Sequence, residues 1–181
     1  MATDESVCTS RTRPHSVPQN TFVAITARWY LRTDDPVAQH LMPKLIAAII
    51  DRYPAATAVR TGDGVGWVAC DLASNRDVAG ETRARYPGAI GNEVTTSPIA
   101  LRISTVPDTI KQAVEYGLSN GGPDTLRRCD ALAEATVSGY IADWAIVETV
   151  HLAAVELWAA VAYTDQAGFD VRVNDPRRPN P

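Results

Sequence analysis

At 181 residues, with a formal net charge of −4 and a pI near 5.3, the chain is long enough to bury a core of its own as one domain. It lacks the basic surplus of a general nucleic-acid binder. Cys8, Cys70 and Cys129 are odd in number and widely separated, which fits neither a disulfide framework nor a metal-ligand spacing and points to reduced thiols in a cytoplasmic protein. Only Lys44 and Lys111 are lysines among the 17 Lys and Arg residues, the codon usage expected of a GC-rich bacterium such as an actinobacterium, or of one of its phages. No basic region followed by an apolar run opens the sequence, so no secretory signal is expected.

Residues 1–20 are polar, carry Pro14 and Pro18, and read as a flexible N-terminal arm. Residues 21–168 read as a single α+β domain, and residues 169–181 as an edge strand or loose tail. In residues 21–31, Val23, Ile25, Ala27, Trp29 and Leu31 alternate against polar neighbours, which predicts a strand. Phe22, Ile25, Thr26 and Trp29 also share a helical face, so a helix stays open there. Asp34, Asp35 and Pro36 form a helix start. Val37, Leu41, Leu45, Ile49 and Tyr53 continue it to Pro54, with Pro43 expected to kink or divide the element.

Residues 57–72 read as a hairpin turning at Gly62, Asp63 and Gly64. Residues 74–92 read as a loop with a short helix near residues 78–86. Ile99, Leu101 and Ile103 alternate as a strand, and Pro107 then opens a helix that ends before the break at residues 120–123. From residue 124 to residue 163 the chain stays helix-compatible and apolar, with Ser138 and Gly139 as a place for a kink. The expectation is an α+β fold: a small antiparallel sheet of three to four strands with three to four helices, the long C-terminal helix central.

Within that last helix Tyr140, Trp144, Val147, His151, Ala154, Trp158 and Val161 form one seam at helical spacing. Ile146, Val150, Ala153, Leu157 and Ala160 form a second, wholly apolar one. A helix apolar on two faces is normally enclosed by its own protein or by a partner. Asp143, Glu148, His151 and Glu156 fall inside it with no Lys or Arg between residues 140 and 163, which excludes a membrane span, since each central carboxylate would cost about 2.5–3.5 kcal/mol.

Glu148 and His151 have the Glu-x-x-His spacing that presents two metal ligands from adjacent turns. A di-iron bundle needs a second such pair, and neither His15 nor His40 has a Glu three residues earlier. A mononuclear site from His40, His151 and Glu148 is the remaining metal candidate, and no cofactor is otherwise expected. The competing reading makes His151 a register-fixing polar group in the aromatic seam, hydrogen-bonded to a facing element. The glycines from Gly62 to Gly66 are followed by a strand from Trp67 to Cys70, where a dinucleotide loop requires a helix. No nucleophile is placed beside a base by sequence.

The sequence therefore leads to a non-enzymatic protein–protein interaction or self-associating module. Its partner is expected to be a second copy or another protein, not nucleic acid or a membrane, met through Tyr140, Trp144, Val147 and Trp158. The alternative is a small metal-dependent or small-molecule enzyme with a pocket around His151 and Glu148.

Overall fold

The structure is a computed structural model, and it describes residues 24–138, 141–164 and 168–169. The 1–20 arm, Tyr140 and most of the 169–181 tail lie outside the described residues. The elements run β1 (Ile25–Leu31), α1 (Ala38–Arg52), β2 (Ala56–Gly64), β3 (Trp67–Ser74), α2 (Val78–Arg85), β4 (Ile99–Ser104), α3 (Pro107–Ser119), a 3-10 turn (Asp124–Arg128), β5 (Ala131–Val137), α4 (Trp144–Trp158) and β6 (Val161–Thr164).

The six strands form one antiparallel sheet in the order β2-β3-β4-β5-β1-β6. Alternation sets its faces. Ala27, Trp29 and Leu31 of β1, Val68, Cys70 and Leu72 of β3, Ile99, Leu101 and Ile103 of β4, and the odd-numbered residues of β5 project into the main core. Leu41, Leu45 and Ile49 of α1 meet them there with Ile146, Val150 and Ala153 of α4. Tyr30, Leu132 and Tyr163 point the other way, into a smaller cluster with Leu126, and Ala113, Val114 and Leu118 of α3 pack against it. The two layers of helix thus sit on opposite faces of the sheet.

The α+β class holds, with four α-helices among the described residues, but the expected sheet of three to four strands around a central C-terminal helix is wrong: the described residues form six strands. The 40-residue apolar stretch is divided into β5, α4 and β6. Residues 131–137 alternate as a strand despite three alanines, because Leu132, Glu134 and Thr136 pair opposite Tyr30, Arg28 and Thr26 on the other face. Ala159, at φ 48° and ψ 41°, turns the chain out of α4 in the left-handed region, and the next residues pair with β1 as β6. Helix α4 is a 15-residue element lying on one face beside α1.

Smaller differences have physical causes too. Helix α1 begins at Ala38 behind Val37 and runs through Pro43 undivided. The β2–β3 hairpin turns at Val65 and Gly66, where Gly66 takes φ 76°. Gly62 and Gly64 stay in β2 under the Trp67 ring, which leaves no room for a Cβ at Gly64 and a tight fit at Gly62. The guanidinium of Arg102 covers that ring at 4.9 Å from its centroid. The strand over residues 25–31, the short helix α2 and the Pro107 start of α3 follow the sequence reading. No helix among the described residues is long and apolar enough to cross a membrane.

Candidate interaction surface

Helix α4 starts where Asp143, as N-cap, accepts a hydrogen bond from the Ala145 N–H through Oδ1. Its other oxygen accepts from the Tyr53 hydroxyl at 2.6 Å, and Arg76 donates to that hydroxyl at 3.4 Å while pairing with Glu81. Burial pushes the Asp143 carboxyl up, but hydrogen bonds from Ser74, Tyr53 and Ala145 together with the Arg76 charge hold it below the usual carboxylate range. The start of α4 is therefore tied to the end of α1 and the start of α2. At the far end Arg52 of α1 pairs with Glu156.

Ile146, Thr149, Val150, Ala153 and Ala154 are the buried residues of α4. At about 100° per residue they occupy one side of the helix. The opposite side carries Trp144, Glu148, Leu152 and Val155, all exposed, and Val147, His151 and Trp158 are half-buried on its flank. Trp144 keeps 50% of its surface in solvent, Val155 40% and Leu152 39%. No Lys or Arg lies in α4, and this side is apolar apart from Glu148, which stands between Val155 and Leu152, with Glu156 at its border. Of the ten large apolar side chains left exposed among the described residues, four (Trp144, Leu152, Val155 and Leu157) are on this one helix. Scattered singly, such residues need no explanation; here Trp144, Leu152 and Val155 share one side of the helix, while Leu157 lies round from them near its end.

His151 lies on the flank of this side. Its Nδ1 accepts a hydrogen bond from Trp29 Nε1 at 3.2 Å, and Trp29 is buried in β1. An indole N–H can only donate, so Nδ1 is unprotonated and the neutral ring carries its proton on Nε2. Burial lowers the His151 pKa, and Glu148 opposes that shift weakly. His151 is thus engaged with a facing strand through one nitrogen.

His40 is exposed on α1 and bonds Asp35 at 2.8 Å through Nδ1, and Glu148 points to solvent. Among the described residues no group of three His, Cys, Asp or Glu side chains is placed to hold a metal ion, so His40, Glu148 and His151 do not form a metal site with one another. A cleft of about 630 Å³ lies on the α3 side of the sheet and is lined by Pro107, Ile110, Val114, Leu118 and Cys129, with Lys111 and Arg127 offset by Glu115 and Asp130. Neither His151 nor Glu148 borders it. The Cys129 thiol is pushed up to about 11 by burial and then by Asp130, and that of Cys70 to about 11 by burial and then by Asp71, so neither is a ready nucleophile at neutral pH.

Of the expected interface residues, Trp144 is exposed, Val147 and Trp158 are half-buried at the edge of the strip, and Tyr140 lies outside the described residues. Sequence reasoning passed over Leu152 and Val155, which the spacing could have supplied: they follow Trp144 by eight and eleven residues in α4, the separations that return to one helix face. Comparison of the chain with protein-family models, with curated proteins and with solved structures gives no match.

Proposed function

We propose that this chain is a non-enzymatic protein–protein interaction module that docks through the outer side of α4. The observation that carries the reading is the half-exposed Trp144 in line with Leu152 and Val155 on a helix whose other side is already buried in the core. Exposing a Trp and two aliphatic residues in a row has no benefit for the fold. Covering them would contribute roughly 25 cal/mol per Å² of apolar surface removed from water, and aromatic anchors of this kind dominate interface energetics.

The catalytic alternative has less to support it, since His151 Nδ1 is occupied by Trp29 and neither His151 nor the exposed Glu148 borders the cleft on the α3 side. The test is oxidative footprinting of the full chain, compared between dilute purified protein and the cells that produce it. Trp144, Leu152 and Val155 are expected to be oxidised several-fold more slowly in the cells than in dilute solution, while Tyr86 and Val65, exposed elsewhere, change little. Equal oxidation of the strip in both settings would overturn the reading.

A further inference from the structure

Asn120 is the chain's only asparagine followed by glycine, and both residues are exposed where the chain leaves α3. Asn120 closes the helix end. Its backbone N–H reaches the Tyr116 and Gly117 carbonyls at 3.2 and 3.1 Å, and its Nδ2 donates to Tyr116 O at 2.8 Å and to Ser119 Oγ at 3.4 Å. Helix α3 has no basic residue in its last turn. Among the described residues the side-chain donors to that end are the Asn120 amide and the Ser119 hydroxyl.

Gly121 follows at φ 82°, and beyond its chain neighbours nothing lies within 4 Å of the place a Cβ would take. Its nitrogen is therefore uncrowded, and its bond to Leu118 O is long at 3.3 Å. The last turn of a helix opens readily. In the opened turn the Gly121 nitrogen can reach the side-chain carbonyl carbon of Asn120, an approach that Arg76 after Asn75 and Glu93 after Asn92 obstruct with their own side chains.

From this we infer that Asn120 is a site of spontaneous deamidation, and that the change releases the end of α3 from the smaller core cluster. The Gly121 nitrogen gives its proton to a solvent base and bonds to Asn120 Cγ; the Cγ–Nδ2 bond breaks, and the amide nitrogen takes up a proton and leaves as ammonia. Water then opens the cyclic imide at either carbonyl, leaving aspartate or isoaspartate. Neither carboxylate can donate to Tyr116 O, and each sets a negative charge against the negative end of the helix dipole. Isoaspartate also inserts a methylene carbon into the main chain. The turn has no slack for it: the Gly122 N–H bonds Gly117 O at 2.9 Å, and a Cβ on Gly122 would stand 2.6 Å from Leu126 Cδ1 and 2.7 Å from Phe169 Cζ. Leu126 and Phe169 pack with Tyr30 and Tyr163 in the cluster that α3 covers, on the other face of the sheet from α4.

The test is to age the full chain at pH 7.5 and at pH 8.5 and to map its peptides by mass spectrometry, reading the exchange of amide for acid at each asparagine and separating aspartate from isoaspartate by retention. Asn120 is expected to convert several-fold faster than Asn75 or Asn92, and faster at the higher pH, with isoaspartate among the products. Amide hydrogen exchange then compares the aged chain and the Asn120→Asp variant with fresh wild type. The amides of residues 120–122 are expected to exchange several-fold faster in both, while those of β3 and β4 stay unchanged. Asn120→Gln, whose longer side chain closes a ring less readily, should keep its own exchange pattern through the same ageing. Conversion of Asn120 no faster than that of Asn75 and Asn92 would overturn the site. Conversion that leaves residues 120–122 exchanging as in the fresh chain would overturn the release of α3.

Discussion

Replacing His151 by Leu removes the hydrogen bond that joins the middle of α4 to β1. Among the described residues Trp29 Nε1 donates to His151, and Trp29 is 2% exposed, so the variant leaves a buried N–H without that partner. That penalty is about 1–3 kcal/mol. A Leu half-covered at the same place returns about 1 kcal/mol of apolar burial, leaving a net loss of about 1 kcal/mol at pH 7.5. With a urea slope of about 2 kcal/mol/M for a domain of this size, the midpoint should fall by about 0.5 M.

The same substitution has a pH signature. Burial lowers the pKa of His151 from 6.5 in the folded chain, so the unfolded state takes up the proton first. The stability this residue contributes is complete above about pH 6.5 and declines as the pH falls from there toward the lower folded value. The Leu variant has no such decline, and its deficit against the wild type should shrink between pH 7.5 and pH 5.0. His151→Gln, whose side-chain carbonyl can accept the indole N–H, should recover much of the loss while staying flat with pH. Urea unfolding followed by circular dichroism at about 2 μM chain keeps association from contributing. A Leu variant as stable as the wild type at pH 7.5, or one whose deficit is the same at both pH values, would refute the reasoning.

Three further outcomes are expected. Asp143→Ala removes the N-cap of α4 and the charged acceptor of the Tyr53 hydroxyl, which should cost about 2–3 kcal/mol in denaturant unfolding near neutral pH. Because the Asp143 carboxyl is held below its ordinary 3.8, its contribution is present above that pH, and the gap to the wild type should close as acid carries the solution through the folded value. Ala159→Gly relieves a left-handed residue at φ 48° and should raise stability by about 1 kcal/mol, seen as a melting temperature about 2–4 °C higher. Thiol labelling at pH 7.5 should be about a hundredfold slower at Cys129 than at an unperturbed cysteine on ionisation alone, its thiol standing near 11 rather than 9.0. Cys70, packed against Met42 in the core, should be slower still.

Where local chemistry is explicit, the sequence and the fold agree. Proline at the first position of α3 and the apolar spacing of Leu41, Leu45 and Ile49 each have one sensible solution, and of the strand and the helix that residues 21–31 leave open, the β-branched and aromatic alternation of β1 is the one that forms. The reading failed where composition and tertiary pairing conflict. Ala131, Ala133 and Ala135 favour helix by propensity, yet small side chains are what β5 needs where Trp29 and Leu31 of the neighbouring strand fill the core, so pairing overrides propensity. The end of α4 carries no Gly or Pro to announce it. Ala159 adopts a conformation its side chain disfavours, and the apolar residues beyond, which resemble more helix, become β6. The apolar surplus on the last helix was legible from spacing alone, but which side of it faces outward depends on the position of α1 and the sheet, which no local pattern states. The bond from Trp29 to His151 joins residues 122 apart in sequence and could be read only as some facing donor.

The place of β1 in the sheet has a consequence for how the chain reaches its native state. Both neighbours of β1 come from the last third of the sequence, with Ile25 opposite Val137 and Ala27 opposite Thr164, whereas β2, β3 and β4 follow one another as adjacent strands. A ribosome releases the β2–β3–β4 ribbon while β1 still has nothing to pair with, and the interior cannot close until residue 164 has emerged. Pairings so remote in sequence slow the search, and a strand held waiting with both borders bare is open to unwanted companions. The vulnerable moment for this molecule is therefore birth rather than maturity, and slower elongation through the final helix would prolong it.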